Sequence, residues 1–132
     1  MPAAPIRVLT VDDDASFAAA LQALLETEPR IAVVGIAANG QQALERALLL
    51  RPDVVTMDIE MPVMDGVEAT RRIRELLPRT AVLIVSASEH AGRAEAARAA
   101  GAAGYMTKSR VAEELVDTIV AISRGENFVL AR

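Results

Sequence analysis

Short apolar runs alternate along this chain with stretches of helical spacing. Ile6–Val11 is a β-branched run that reads as a strand (β1), and Phe17, Leu21, Leu24 and Leu25 follow at the spacing of one helix face (α1). Pro29 closes that helix and Ile31–Ile36 reads as β2. Gly40 precedes a helical stretch through Ala43, Leu44, Ala47 and Leu48 (α2) that stops before Pro52. Val54-Val55-Thr56-Met57 reads as a buried strand, β3, that ends at Asp58. Asp65-Gly66 introduces α3 through Ile73, Leu76 and Leu77, and Pro78 breaks it. Ala81–Val85 then gives β4, the Ala-rich stretch 91 to 100 gives α4, Gly104-Tyr105-Met106 gives a short β5, and Val111–Ser123 gives α5.

Five strands alternating with five helices imply an α/β fold with parallel pairing, right-handed crossovers and helices on both faces of one open sheet. Ligands in such sheets bind beyond the carboxyl ends of the strands, and for the order 2-1-3-4-5 the switch point lies between β1 and β3. Asp12 and Asp13 follow β1 and Asp58 follows β3. Ser86 follows β4 and Lys108 stands just past Tyr105-Met106. A carboxylate leaving a buried strand, faced by further acids, a hydroxyl and an ammonium, points to a metal and phosphoryl site.

Composition narrows the partners. A length of 132 residues is one domain with a core large enough to fold unaided. A 52% hydrophobic share with only 2% aromatic means an aliphatic core, which suits a parallel sheet covered by helices. A net charge of −4 gives no electrostatic footprint for nucleic acid, so any DNA contact is expected through another domain. The absence of Cys excludes disulfides and thiolate metal sites. Met1-Pro2-Ala3-Ala4-Pro5 lacks the features of a signal peptide and no uninterrupted apolar stretch is long enough for a bilayer, so no membrane role and a cytoplasmic location are expected.

Four segments carry a resemblance. Leu9-Thr10-Val11-Asp12-Asp13, Met57-Asp58-Ile59-Glu60-Met61-Pro62-Val63-Met64-Asp65-Gly66, Val85-Ser86-Ala87 and Gly101-Ala102-Ala103-Gly104-Tyr105-Met106-Thr107-Lys108 resemble, in identity, order and spacing, the response regulator receiver domain of bacterial two-component systems. The stretch Gly66 to Ile73 and the Gly104-Tyr105-Met106 segment are most similar to the NarL/LuxR-like subfamily, while the loop holding Glu60 also resembles receivers of chemotaxis methylesterases. The resemblance implies a flavodoxin-like doubly wound (βα)5 fold with a five-stranded parallel sheet, and a phosphorylation-dependent switch rather than a turnover enzyme. It implies Asp58 as the phosphoacceptor, fed by a sensor histidine kinase or phosphotransfer protein. Mg²⁺ would be held by Asp13, Asp58 and the backbone carbonyl of Glu60, with Asp12 acting through water. Lys108 and Ser86 would contact the phosphoryl oxygens, and Ser86 coupled to Tyr105 would alter the face formed by α4, β5 and α5, controlling dimerisation or an output, expected to be transcription.

Simpler roles compete at several positions. Asp14 reads as an N-cap of α1, Asp65 and Gly66 as a cap and a turn glycine, and His90 as a loop residue or cap. Arg71, Arg72 and Arg74 read as the solvated face of α3. Ser109 stands where many receivers have Pro, so the turn after β5 is expected to differ. Residues 1–124 are read as the receiver, and 125–132 as a C-terminal tail or the start of a linker to an absent helix-turn-helix domain, whose apolar residues want a partner surface. Two other readings stay open: a phosphorylation-independent interaction module on the same fold, and an aspartyl-phosphate phosphatase of the haloacid-dehalogenase type.

Overall fold

The computed structural model describes residues 4–87, 91–127 and 129–131. His90 and Phe128 lie outside them. The elements run β1 (Ile6–Val11), α1 (Ala15–Glu26), β2 (Ile31–Ala37), α2 (Gly40–Leu50), β3 (Val54–Met57), α3 (Gly66–Leu76), β4 (Ala81–Ser86), α4 (Ala91–Ala99), β5 (Gly104–Thr107), a 3-10 turn (Lys108–Arg110) and α5 (Val111–Ser123). The five expected strands pair in parallel in the order 2-1-3-4-5. A sixth strand, β6 (Val129–Ala131), adds in parallel beside β5, with Leu130 opposite Tyr105. The tail read as a possible linker start therefore continues the sheet. Its apolar run is too short for periodicity to mark it as a strand, and only the open edge of β5 gives its backbone groups partners.

Each central strand is buried on both faces, so its sequence is nearly continuous aliphatic rather than alternating. Side chains still alternate in direction. Leu9, Val55, Met57 and Ile84 pack with Ala43 and Ala47 of α2 and Ala69 and Ile73 of α3, while Val8, Val54, Leu83 and Met106 pack with Leu21 and Leu25 of α1 and Leu115 and Ile119 of α5. Complete burial of a side chain such as Ile73 or Ile119 contributes roughly 1.5–3 kcal/mol.

The surface of α3 is not uniformly solvated as its sequence suggests. Arg71 and Arg72 bridge to Glu68, and Arg71 also reaches Glu75. Arg74 instead folds back onto the carbonyls of Pro78, at 2.6 Å, and Thr80, at 2.7 Å. The guanidinium thus satisfies carbonyls of the turn that follows the helix, beyond its C-cap Leu77.

Thr10 and Thr56 stand opposite each other on β1 and β3, and both hydroxyls are buried with no hydrogen-bond partner among the described residues. A buried hydroxyl without a partner loses its hydration and recovers nothing. Thr10→Val and Thr56→Val are each expected to raise stability by about 1 kcal/mol, read as a higher urea midpoint at unchanged m-value. A fall in the midpoint would show that these hydroxyls are partnered in solution.

Candidate functional site

Register delivers the acids to one place. Val11 is the partner of Met57, so β1 and β3 end level and Asp12 and Asp58 leave the sheet side by side. The Asp12 amide donates to the Ala37 carbonyl at 3.1 Å and the Asp58 amide to the Val11 carbonyl at 3.0 Å, so both positions are still tied to the neighbouring strand. On the other side Ser86 is opposite Thr107, which brings Lys108 alongside.

Carboxylate oxygens of Asp12, Asp13 and Asp58 all lie within 4.8 Å of one another. Asp12 and Asp58 are buried, and Asp13 forms the exposed rim. Lys108 Nζ is 2.8 Å from Asp12 Oδ2 and 3.7 Å from Asp58 Oδ2. Its ammonium is therefore hydrogen-bonded to Asp12 and attracted to Asp58 only through space. Asp12 Oδ1 accepts from the Asp14 amide at 2.8 Å, which orients that carboxylate toward Lys108. Asp14 itself caps α1, accepting from the amides of Ser16 and Phe17, so its reading as a cap holds.

Asp58 is 7% exposed, and its Oδ1 accepts from the Ile59 amide at 2.9 Å. Burial, and next the negative charge of Asp12, push its carboxyl up to about 6; Lys108 and the Ile59 amide oppose this without cancelling it. For Lys108 burial works against the charged form, but the hydrogen bond to Asp12 and the charge of Asp58 outweigh it and raise the ammonium's pKa. The group stays charged across the physiological range.

Asp13, Asp14, Asp58 and Lys108 border an open hollow of about 370 Å³, with Glu60, Ser86 and Ala87 completing its wall. A larger hollow of about 590 Å³ lies beside Arg74, Arg79 and Arg98, at the start of β4 and away from the acids. Chemistry rather than size identifies the site. Glu60 is among its walls, and its carboxylate pairs with Arg93 of α4 at 2.6 Å. Ser86 and Tyr105 are both buried, and because Tyr105 is opposite Ile84 they lie on the same face of the sheet.

The loop after Asp58 is held tightly. Asp65 caps α3, accepting from the Glu68 amide at 2.9 Å, as its sequence position suggests. The Gly66 amide donates to the Ile59 carbonyl at 2.8 Å, and a Cβ on Gly66 would overlap the Asp58 carbonyl oxygen. Val63 has φ 72°, a left-handed conformation that β-branched residues rarely adopt, and its side chain is 82% exposed. At the end of β5, the Thr107 hydroxyl lies 3.1 Å from that of Ser109 in the 3-10 turn. Sequence reasoning missed two neighbours: Arg93, for which the sequence carries no signal, and Phe17, visible only as a helix-face residue. The ring of Phe17 lies under Lys108 Nζ, 4.3 Å from centroid to nitrogen.

All donors in the acid cluster are hard oxygens, the type Mg²⁺ prefers. Two ligands on opposite sides of that ion are about 4.2 Å apart. The cluster's spacing fits such an ion with a small closure or with one acid acting through water.

The model of the response regulator receiver domain family matches residues 8–120. A protein-glutamate methylesterase/protein-glutamine glutaminase of Pseudomonas syringae pv. syringae is 41% identical over 91% of this chain, and the match spans 34% of that relative's own length. The chain thus spans about a third of the curated relatives it matches. Among solved structures, a LuxR-family two-component response regulator from Aurantimonas sp. SI85-9A1 is 36% identical with a TM-score of 0.90, over 95% of this chain and 89% of that one. The response regulator domain of Thermotoga maritima CheB is also 36% identical, with a TM-score of 0.85, over 92% of this chain and 98% of that one.

Proposed function

Since this chain belongs to the response regulator receiver family, we propose that it is a phosphorylation-dependent switch in which Asp58 accepts a phosphoryl group from a sensor histidine kinase or phosphotransfer protein. The observation that carries this reading is the buried Asp58 carboxylate held between two acids and a lysine at the mouth of an open hollow. Transfer of this kind depends mainly on positioning and charge stabilisation. A carboxylate oxygen of Asp58 attacks phosphorus, the P–N bond of the donor phosphohistidine breaks, and its electron pair stays on that imidazole nitrogen, the ring leaving neutral because its other nitrogen holds a proton. Lys108 exchanges its bond to Asp12 for the phosphoryl oxygens, and the Ser86 hydroxyl donates to one of them. Asp13, Asp58 and the Glu60 carbonyl, with Asp12 through water, would hold Mg²⁺, whose charge offsets that of the phosphoryl oxygens. The product is an acyl phosphate on the protein itself, so the cycle ends with its hydrolysis.

The readout we propose runs through Ser86 and Tyr105 to the face of α4, β5 and α5, as a shift between two packings. Tyr105 lies opposite Leu130, so β6 runs beside β5 at the edge of that face. The curated relatives favour control of an attached methylesterase over transcription as the output, while the likeness to the LuxR-family regulator supports transcription through a helix-turn-helix elsewhere. No helix among the described residues is long and apolar enough to cross a membrane, consistent with a cytoplasmic signalling role.

Intact-mass spectrometry after incubation with acetyl phosphate and Mg²⁺ tests the reading. One phosphoryl adduct, dependent on Mg²⁺ and absent from Asp58→Ala, is expected. If neither an adduct nor beryllofluoride binding is found, the chain is instead an interaction module that works without phosphorylation.

A further inference from the structure

Lys108 is the chain's single lysine, and Phe17 is one of its three aromatic residues, beside a core built mostly from aliphatic side chains. The two meet at the site, with the ammonium 4.3 Å from the ring centroid. Packing against the cluster that includes Val8, Leu21 and Leu115 explains an apolar residue at position 17, and leucine would serve that purpose equally well. It does not explain an aromatic face turned to a cation.

We propose that Phe17 is a positioning residue for phosphoryl transfer, its ring face holding the Lys108 ammonium at the mouth of the acid pocket; this rests on the function proposed above. The Lys108 side chain is 19% exposed and its stem is flexible, so without support the ammonium samples positions out in solvent. The Asp12 carboxylate supports one side at 2.8 Å. A second carboxylate on the other side would take up another of the ammonium's protons and would repel the incoming phosphoryl group. The ring attracts the charge through its quadrupole while accepting no strong hydrogen bond and adding no net charge, so the remaining protons stay available for phosphoryl oxygens. The ring is in turn placed by the cap at the start of α1, where the Phe17 amide donates to Asp14 Oδ1 at 3.2 Å and the Asp14 amide donates to Asp12. One short network thus fixes both supports of the lysine.

The test uses protein labelled with ¹³C-lysine, which gives a single set of methylene signals. In the wild-type protein the ε-methylene resonance is expected to be shifted upfield by the ring current, and in Phe17→Leu it is expected to return to the ordinary lysine position. With acetyl phosphate and Mg²⁺, Phe17→Leu is expected to form the Asp58 adduct roughly three- to tenfold more slowly, and Phe17→Tyr to stay within about twofold of wild type. An unshifted wild-type resonance, or equal rates for wild type and Phe17→Leu, overturns the proposal. If the leucine variant does not fold, the wild-type resonance and the tyrosine variant decide. Failure of the wild-type protein to take any phosphoryl group sinks the proposed function instead, and the resonance still reports whether the ring holds the lysine.

Discussion

Asp58→Asn is expected to be more stable than the wild-type protein at about pH 7.5 in metal-free buffer, by on the order of 2–3 kcal/mol, while accepting no phosphoryl group. The Asp58 carboxyl titrates near 6 in the folded protein against 3.8 for the ordinary group, because burial and the charge of Asp12 disfavour its ionised form. Below the unfolded value both states hold the proton and Asp58 imposes no penalty. As pH rises, the unfolded chain ionises first, so stability declines through the folded value and then levels off. Asparagine does not titrate at all. The difference between the two proteins should therefore be small near pH 4, grow up to about pH 6 and stay constant above it. Urea denaturation at several pH values measures this, and a difference that is absent at neutral pH or independent of pH would show that Asp58 is not strained by its surroundings. Added Mg²⁺ should narrow the gap, since a ligand that binds only the folded wild-type site stabilises it by linkage.

Gly66→Ala is expected to destabilise the fold by about 3 kcal/mol and to reduce adduct formation at Asp58. The added methyl would overlap the Asp58 carbonyl oxygen and crowd the Ile59 Cα, which are backbone atoms rather than the end of a flexible side chain. Relief by backbone movement is limited at both ends. The Asp58 amide is bonded to Val11, the Gly66 amide is bonded to Ile59, and Asp65 is engaged in capping α3. Any shift that makes room also moves the phosphoacceptor away from Asp12 and Lys108. Thermal or urea denaturation together with intact-mass yield reads both effects. A variant with wild-type stability would mean the loop relaxes freely, and one that is destabilised but fully reactive would separate the packing of Gly66 from the placing of Asp58.

Much of the site is legible in the amino-acid sequence. The runs at β1, β3 and β4 are local signals, because a strand buried on both faces has to be aliphatic almost throughout. The parallel order then places the residues just beyond those strands at one edge, so Asp12, Asp13, Asp58, Ser86 and Lys108 group together from their positions alone. Asp14 and Asp65 are readable as caps because a cap satisfies amides only two or three residues away. Arg74 reads as solvated since the carbonyls it reaches belong to a turn whose path the helix pattern does not describe. The short run at Val129–Ala131 carries no strand signal of its own, as an edge strand is defined by the neighbour it pairs with.

By itself the sequence determined the alternation of strands and helices, the set of chemical groups at the carboxyl edge and the family to which they belong, because these depend on local patterns and fixed spacings. Only the tertiary structure decided that Lys108 rests on Asp12 rather than Asp58, that the Phe17 ring supports it, that Glu60 turns to Arg93 and that Gly66 touches the Asp58 backbone. Most of these contacts join residues far apart in the chain, and their energies change steeply over an ångström, a scale that side-chain packing sets and residue spacing does not.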